Sequence, residues 1–349
     1  MCGGDSRGGT LPRLLRLIYN LTRPLFTLIP LSYFLVGSLS TFASPVLLSF
    51  SSFSFFQQLV KFLVSTFTLS PSFLTAYLAI FLASISGCNV NSYADAQESD
   101  KHAFYQKDYV NPIVEGSISP RNIAWISLLS SFVSILVGLI VSCIFAAIIM
   151  LGHFFSLTYS YKPRFKSKPP LDLTWNTIGL AVLPFVAGYV VYTSSPEGLS
   201  LSSVTLSLVH VLMHSLKTYF GSILSLVYIL GKTFPLNYFL GSTLLGAAFY
   251  TLTATLDYEA DKLSGVRTLA VALGKRRCLS LGMILYLMSG IPLLDALKSN
   301  IHFAVGFLSF LLVFMWTLMK PSGERIWLSI KALSLFLVLC FIAKVATFL

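Results

Sequence analysis

The sequence predicts an all-α polytopic membrane protein with nine transmembrane helices, arranged as two four-helix halves plus one further helix. Hydrophobic residues make up 55% of its 349 residues and charged residues only 11%, against roughly 25% charged residues in a soluble domain. Long apolar runs alternate with short basic segments, and the acidic residues are confined to a few places. This pattern excludes a soluble globular domain. The net charge of +11 follows from the basic loops between apolar runs, so we expect no nucleic-acid partner.

The predicted spans follow from the length of the apolar runs, because a bilayer-spanning helix needs about 20 apolar residues. Residues 1–22 are predicted to be a flexible cytoplasmic N-terminus and residues 23–349 a single transmembrane domain. The apolar run 123–159 is too long for one helix, which predicts a break near Ser142. The predicted spans are 25–49, 73–90, 123–141, 142–159, 175–194, 234–256, 279–297, 301–319 and 328–348.

The distribution of basic residues predicts the orientation. With the N-terminus in the cytoplasm, 18 of the 24 lysines and arginines fall in inside segments and four in outside segments. Since cytoplasmic loops carry an excess of Lys and Arg, the N-terminus and both acidic motifs are predicted on the cytoplasmic face. Residues 201–231 are apolar but contain two histidines and Lys217. A crossing there would invert everything downstream, so we predict an interfacial or re-entrant element.

The acidic residues cluster at two points, each following a long apolar run. The first motif covers residues 91–100 and the second covers residues 257–261. Carboxylates beside a membrane are costly unless they are paired or bound to metal. Eight of the 13 acidic residues lie in or near the two motifs: Asp95, Glu98, Asp100, Asp108, Glu115, Asp257, Glu259 and Asp261.

The spacing within each motif indicates a metal half-site. Asn91 and Asp95 are four residues apart, as are Asp257 and Asp261, and residues four apart lie on one face of a helix. Magnesium is usually held by one or two carboxylates plus substrate phosphates. Two facing half-sites would therefore hold a diphosphate through Mg²⁺. Solvated loop acids are the simpler alternative for one pair, but two pairs on one membrane face favour a site.

Basic residues near the motifs are candidates for binding the diphosphate oxygens. Lys162 and Arg164 follow the fourth predicted span, and Lys262 and Arg267 follow the second motif. The alternative is that these side chains serve only as topology signals.

The motifs resemble those of the UbiA superfamily of intramembrane prenyltransferases. The resemblance implies a cavity at the centre of nine helices and a Mg²⁺-dependent transfer of a prenyl chain from a polyprenyl diphosphate to a lipophilic acceptor. It implies catalytic roles for Asp95, Asp257 and Asp261, and metal and diphosphate binding by Asn91 with the same three aspartates. The matching segments are 87–95, similar to N-D-x-x-D-x-x-x-D; 111–119, similar to R-P-[IL]-x-x-G-x-[IV]-S; 257–262 with Gly265, Arg267-Thr268 and Gly274, similar to the second motif; and Arg23-Pro24.

The chain departs from the family pattern at Ser92 and Ser99, where aspartates are usual, and at Asn111, where arginine is common. Two carboxylates are available to complete the first half-site. On an ideal helix Glu98 lies about 60° from Asp95 and Asp100 about 140° away, which favours Glu98. The family pattern requires an aspartate close to position 99, and a helix that ends before Ser99 would let Asp100 take this role. Because the family motif commonly runs out of its helix into a loop, we predict Asp100 as a metal ligand. The alternative is that Asp95 and Asn91 form the half-site alone.

The leading functional hypothesis is therefore a prenyltransferase with Mg²⁺ as cofactor and membrane lipid as its surroundings. The alternatives are a membrane transporter and a related protein without catalytic activity. Acidic residues at helix ends rather than in mid-span favour the enzyme over the transporter. The acceptor stays open among a quinone-precursor ring, an ether-lipid glycerol phosphate, a carotenoid and a tetrapyrrole.

Overall fold

The computed structural model describes residues 13–40, 71–102, 110–193, 234–296 and 301–346, and these residues form helices joined by turns. The predicted element at 201–231 lies outside the described residues, as do residues 1–12 and the end of the first predicted span. In chain order the helices are α1 (Arg13–Thr22), α2 (Pro24–Leu39), α3 (Pro71–Asp95), α4 (Pro120–Val141), α5 (Cys143–Ser160), α6 (Leu171–Thr177, continued by a π-helical turn Ile178–Val182 and by Leu183–Thr193), α7 (Leu236–Leu256), α8 (Tyr258–Leu263), α9 (Leu269–Leu273), α10 (Lys275–Ala296), α11 (Ile301–Met319) and α12 (Gly323–Ala346).

The break predicted near Ser142 is confirmed. Helix α4 ends at Val141 and α5 begins at Cys143, because Ser142 has an extended backbone with φ −172° and ψ 159°. The Ser142 hydroxyl accepts a hydrogen bond from the amide of Phe145 at 3.1 Å. Such an N-terminal cap satisfies one of the free amides at the start of a helix, so the chain can end one apolar helix and begin another within a single residue.

Several helices are suited to a bilayer. Among the described residues, five helical stretches are long and apolar enough to cross a membrane, and two shorter apolar helices accompany them. The predicted total of nine spans stays a prediction. The five are Pro71–Asp95, Pro120–Val141, Cys143–Ser160, Leu171–Val191 and Leu236–Leu256, and the shorter two are Pro24–Ser38 and Ala304–Met319.

Helices α2 and α6, which would begin the two predicted halves, touch through reciprocal glycines. A Cβ atom at Gly37 would lie 2.0 Å from the carbonyl oxygen of Phe185, and one at Gly188 would lie 2.0 Å from that of Phe34. Small residues allow the backbones of membrane helices to approach closely. The reciprocity of the two contacts agrees with a repeat that relates α2 to α6.

The packing places the two acidic motifs at corresponding ends of the fold. Helix α3 packs along α4, and α7 packs along α10. The first motif lies at the end of α3 and the second at the end of α7. Each motif therefore lies where the first helix of a packed pair ends, and the fold brings the two ends to one cavity.

The segment predicted to be a flexible N-terminus contains helix α1. Leu15, Ile18 and Tyr19 are exposed on it. It is attached to the rest of the fold through Glu115, which pairs with Arg16 at 2.9 Å and accepts a hydrogen bond from Asn20 at 3.1 Å.

Candidate functional site

The first motif lies where α3 leaves its helical path. Asp95 is the last residue of α3, and its side chain is buried with 2% of the residue exposed. Asn91, one turn earlier, accepts a hydrogen bond from the Ser160 hydroxyl at 3.3 Å. Both residues line the same cavity, so the four-residue spacing does place two side chains with oxygen atoms on one face.

The second motif is built by two consecutive helices. Asp257 follows the last residue of α7, and Asp261 lies within the short helix α8. The Asp261 amide donates to the Asp257 carbonyl at 2.8 Å, which keeps the two side chains one turn apart. Asp257 lines the cavity, while Asp261 is 1% exposed.

A lysine outside both motifs joins them. Lys166 lies on a 3₁₀ turn, Phe165–Ser167, between α5 and α6, and it is 5% exposed. Its Nζ donates to Asp95 Oδ2 at 2.6 Å and lies 3.8 Å from Asp261 Oδ1. The two motifs thus face each other across one buried ammonium group.

The negative charge of the carboxylates in the two motifs exceeds the positive charge of the side chains around them. Burial and the neighbouring Asp261 raise the pKa of Asp257 to about 8, and burial raises the pKa of Asp261 to about 6 although Lys166 acts in the opposite direction. Burial would lower the pKa of Lys166, but Asp95 and Asp261 outweigh it and raise that pKa well above its ordinary value. The site therefore has a deficit of positive charge.

Asp100 and Glu98 occupy different surroundings. Asp100 lines the cavity beside Asp95. Burial and the Asp95 charge raise the pKa of Asp100. Glu98 forms an ion pair with Arg164, and its side chain is 36% exposed. The geometry therefore gives Asp100 access to a ligand in the cavity and gives Glu98 a partner outside it.

Two of the three departures from the family motif, Ser92 and Asn111, belong to one hydrogen-bonded group. The Asn111 side-chain amide donates to Asp100 Oδ2 at 2.5 Å and to the Ser92 carbonyl at 2.7 Å. The Arg23 guanidinium donates to the Ser92 hydroxyl at 2.7 Å and lies 3.9 Å from Asp100 Oδ2. Ser92 and Asn111 are thus compatible with each other, and together with Arg23 they hold Asp100 at the cavity.

The cavity beyond the carboxylates is apolar. The whole cavity, including its carboxylate end, has a volume of about 230 Å³. Gly152 opens directly onto it, since a Cβ added there would meet no atom within 4 Å. Its wall suits a hydrocarbon chain and includes Phe26, Ile148, Phe155, Leu180, Leu183 and Phe249.

The four basic residues predicted to bind the diphosphate do not all lie near the carboxylates. Arg164 lies near the carboxylates, 3.9 Å from Asp95 Oδ1. Lys162, Lys262 and Arg267 are exposed, and Lys262 lies over the ring of Tyr258 at 5.7 Å. These three residues are at the surface rather than in the cavity wall.

The residues present fit a divalent cation shared with a substrate. Neither carboxylate oxygen of Asp261 accepts a hydrogen bond from the described residues, and the same holds for Asp95 Oδ1. Buried polar atoms without partners are rare in folded proteins. In the described ranges, no three acidic, histidine or cysteine side chains lie close enough together to hold an ion by themselves. Magnesium does not require such a cluster, because it commonly completes its shell with phosphate oxygens and water.

Sequence reasoning missed Lys166, Asp172 and the role of Arg23. The four basic residues between 162 and 168 alternate with other residues, and no local pattern distinguishes the buried lysine from the exposed ones. Asp172 lies in the first turn of α6 and is wholly buried. It accepts hydrogen bonds from the Tyr250 hydroxyl at 2.7 Å and from the amides of Leu173 and Leu269, so it ties α6 to α7 and to the segment after the second motif.

Comparison with known proteins places this geometry in a family. Residues 40–340 match the model of the UbiA prenyltransferase family, whereas no curated protein matches the chain. A UbiA homologue from Archaeoglobus fulgidus bound to GPP and Mg²⁺ is 17% identical, with a TM-score of 0.59 over 95% of this chain and 99% of that one. An apo UbiA homologue from Aeropyrum pernix K1 is 17% identical, with a TM-score of 0.60 over 90% and 94%.

A digeranylgeranylglyceryl phosphate synthase is 16% identical, with a TM-score of 0.53 over 97% of this chain and 99% of that one. At such identities these likenesses concern the fold. The family model covers most of the chain and includes both acidic motifs. The apolar helices agree with an integral membrane protein, and the chain belongs to the UbiA prenyltransferase family.

Proposed function

We propose that this protein transfers a prenyl chain from a polyprenyl diphosphate to a lipophilic acceptor, with release of diphosphate and with Mg²⁺ as cofactor. One observation carries the proposal: two acidic motifs from different helices meet at Lys166, at the polar end of an apolar cavity. A polyprenyl diphosphate has the same division, with an anionic head and a hydrocarbon chain. Among solved structures of similar fold, UbiA homologues from Archaeoglobus fulgidus bind GPP or DMAPP with Mg²⁺.

The metal would be held by Asn91, Asp95, Asp100, Asp257 and Asp261. Of these, four line the cavity and Asp261 presents carboxylate oxygens without hydrogen-bond partners. When bound, Mg²⁺ supplies positive charge that stabilises the departing diphosphate.

The diphosphate oxygens would be bound by Lys166, Arg23 and Arg164, which lie at or beside the carboxylates. Lys162, Lys262 and Arg267 are exposed and in this proposal form an outer basic rim that attracts the anionic substrate.

The apolar wall has three tasks in this proposal. It binds the prenyl chain by burial, it keeps water from the reacting carbon, and its aromatic rings stabilise positive charge that develops there. The carbon–oxygen bond breaks with its electron pair leaving on the diphosphate, a bond forms from the acceptor to the prenyl carbon, and the acceptor loses a proton. Candidate acceptors are a quinone-precursor ring, an ether-lipid glycerol phosphate, a carotenoid and a tetrapyrrole.

The test is transfer from labelled geranylgeranyl diphosphate to each acceptor class in membranes that contain the protein. Asp95→Asn should lower turnover by roughly 10²–10³-fold, the usual effect of removing one group that stabilises developing charge. Glu259→Gln is the matched control, since Glu259 belongs to the second motif but is 56% exposed and pairs with Lys275. Full activity of Asp95→Asn, or of the native protein in EDTA, would contradict the proposal. Movement of the intact substrate across the vesicle membrane, without formation of product, would favour the transporter hypothesis.

The orientation is a separate part of the proposal. On the basis of the excess of basic residues, we propose that the N-terminus and both motifs face the cytoplasm. Cysteines at positions 101, 217 and 262 can be labelled from either side of sealed vesicles. We expect positions 101 and 262 to react from the cytoplasmic side and position 217 from the opposite side. Labelling of 101 and 262 from different sides would exclude a shared site.

A further inference from the structure

Lys166 occupies a position that a metal ion would also favour. Its Nζ lies between carboxylates of the two motifs, 2.6 Å from Asp95 Oδ2 and 3.8 Å from Asp261 Oδ1. The turn that carries it is held by Arg164, whose backbone is left-handed with φ 57° and ψ 66° and whose guanidinium binds Glu98. Lys166 therefore reaches the carboxylates from a separate element of the fold.

A metal ion and this ammonium group interfere with each other. Magnesium binds oxygen at about 2.0–2.1 Å, so an ion on Asp95 Oδ2 would lie within about 4.7 Å of Lys166 Nζ as it now stands. The site is shielded from water, since Asp95, Asp261 and Lys166 are each at most 5% exposed. Repulsion between two cations is strong at this distance in such surroundings.

A diphosphate would remove this conflict. Its oxygens offer the ammonium group new charge-assisted hydrogen bonds, so Lys166 can leave Asp95 without losing an anionic partner. We propose that Lys166 is the resident counter-ion of the metal-free site and moves from Asp95 to the diphosphate when the metal binds. The metal ion and the diphosphate then bind as a mutually dependent pair. By linkage each raises the affinity of the other by the same factor. This inference rests on the proposed function.

The experiment measures Mn²⁺ binding to the full-length protein in nanodiscs by electron paramagnetic resonance, with and without inorganic pyrophosphate. Lys166→Met keeps most of the length of the unbranched side chain and removes its charge. Without pyrophosphate, we expect Mn²⁺ to bind at least about 10-fold more tightly to Lys166→Met than to the native protein, within the usual 5–150-fold range of such couplings. The gain in Mn²⁺ affinity on adding pyrophosphate should be smaller in the variant.

Two controls separate displacement from a general loss of positive charge. Lys168 lies in the same loop, is exposed and has no role in the proposed site, so Lys168→Met should leave Mn²⁺ affinity unchanged. Arg164 lies 3.9 Å from Asp95 Oδ1 but is bound to Glu98, so Arg164→Met should have a smaller effect than Lys166→Met. If Lys166→Met is not folded, Lys166→Gln serves in its place.

Unchanged or weaker Mn²⁺ binding in Lys166→Met would overturn the inference, as would an equal gain in Lys168→Met. Either result leaves the proposed function intact, provided that Mn²⁺ and pyrophosphate still bind together. Failure of the native protein to bind Mn²⁺ in the presence of pyrophosphate would instead overturn the proposed function.

Discussion

Two buried aspartates are expected to respond in opposite ways to the same substitution. Asp172 accepts hydrogen bonds from the Tyr250 hydroxyl and from two backbone amides. The carboxylate oxygens of Asp261 have no donor in hydrogen-bonding geometry among the described residues, and Lys166 Nζ is 3.8 Å away. The Thr268 hydroxyl affects the pKa of Asp261 less than burial and Lys166 do. We therefore expect Asp261→Asn to stabilise the metal-free protein and Asp172→Asn to destabilise it.

The magnitude for Asp261 follows from its pKa. Burial raises that pKa from 3.8 to about 6, and one pKa unit corresponds to about 1.4 kcal/mol. At pH 7, above both the native and unfolded pKa values, the ionised side chain therefore costs the native state on the order of 3 kcal/mol. The cost disappears as the pH falls from about 6 towards 4, because the native state takes up its proton first. An unpaired buried amide itself costs about 1–3 kcal/mol, which leaves a net gain on the order of 1 kcal/mol for Asp261→Asn.

The magnitude for Asp172 follows from its hydrogen bonds. A hydrogen bond to a charged group contributes about 1.5–3 kcal/mol. An asparagine at position 172 is neutral and presents a single acceptor oxygen, so it cannot keep all three donors of Asp172 in place. We expect Asp172→Asn to lower the free energy of unfolding by about 2 kcal/mol or more.

The assay is thermal unfolding in detergent at one heating rate, because the midpoint of irreversible unfolding depends on that rate. At pH 7 without metal, the midpoint of Asp261→Asn should exceed that of the native protein, and the difference should shrink at pH 5. Asp172→Asn should unfold at a lower temperature at both pH values. Mg²⁺ with pyrophosphate should raise the midpoint of the native protein, since a ligand of the native state stabilises it, but not that of Asp261→Asn.

Two results would refute this reasoning. A fall in the midpoint of Asp261→Asn as large as that of Asp172→Asn would mean that Asp261 is stabilised by its surroundings rather than strained by them. An equal rise with Mg²⁺ and pyrophosphate in Asp261→Asn and the native protein would mean that Asp261 does not hold the metal.

Three further outcomes are expected. Asp100→Asn should raise the Mg²⁺ concentration needed for half-maximal rate about 10-fold or more, whereas Glu98→Gln should change it little. The reason is that, of these two residues, Asp100 lines the cavity and Glu98 does not. A rise seen only in Glu98→Gln would reverse the assignment. Mn²⁺ affinity in the presence of pyrophosphate should increase from pH 6 to pH 8. The pKa values of Asp257 and Asp261 are raised, so these side chains must lose protons before the metal binds. An affinity that does not change with pH would contradict this expectation. Gly152→Phe should reduce transfer from long prenyl donors more than from short ones, because position 152 opens onto the cavity, and an equal reduction would argue against a chain-binding role there.

The sequence alone was sufficient for the all-helical class with apolar membrane-type helices, the break at Ser142 and the family. Apolar runs and helix breaks are local properties, since the length of a run and the presence of a capping serine are both read along the chain. The pairing of Asn91 with Asp95 and of Asp257 with Asp261 is local in the same sense, because helical spacing places residues four apart on one face.

The tertiary structure decided which charged groups share the cavity. Lys166 and Lys162 are equivalent by composition and close in sequence, yet one is buried between the two motifs and the other is exposed. Helical geometry favoured Glu98 over Asp100, but the chain leaves its helix after Asp95 and the hydrogen bond from Asn111 directs Asp100 to the cavity. These outcomes depend on contacts between segments far apart in the chain, and the periodicity of a single helix carries no information about them.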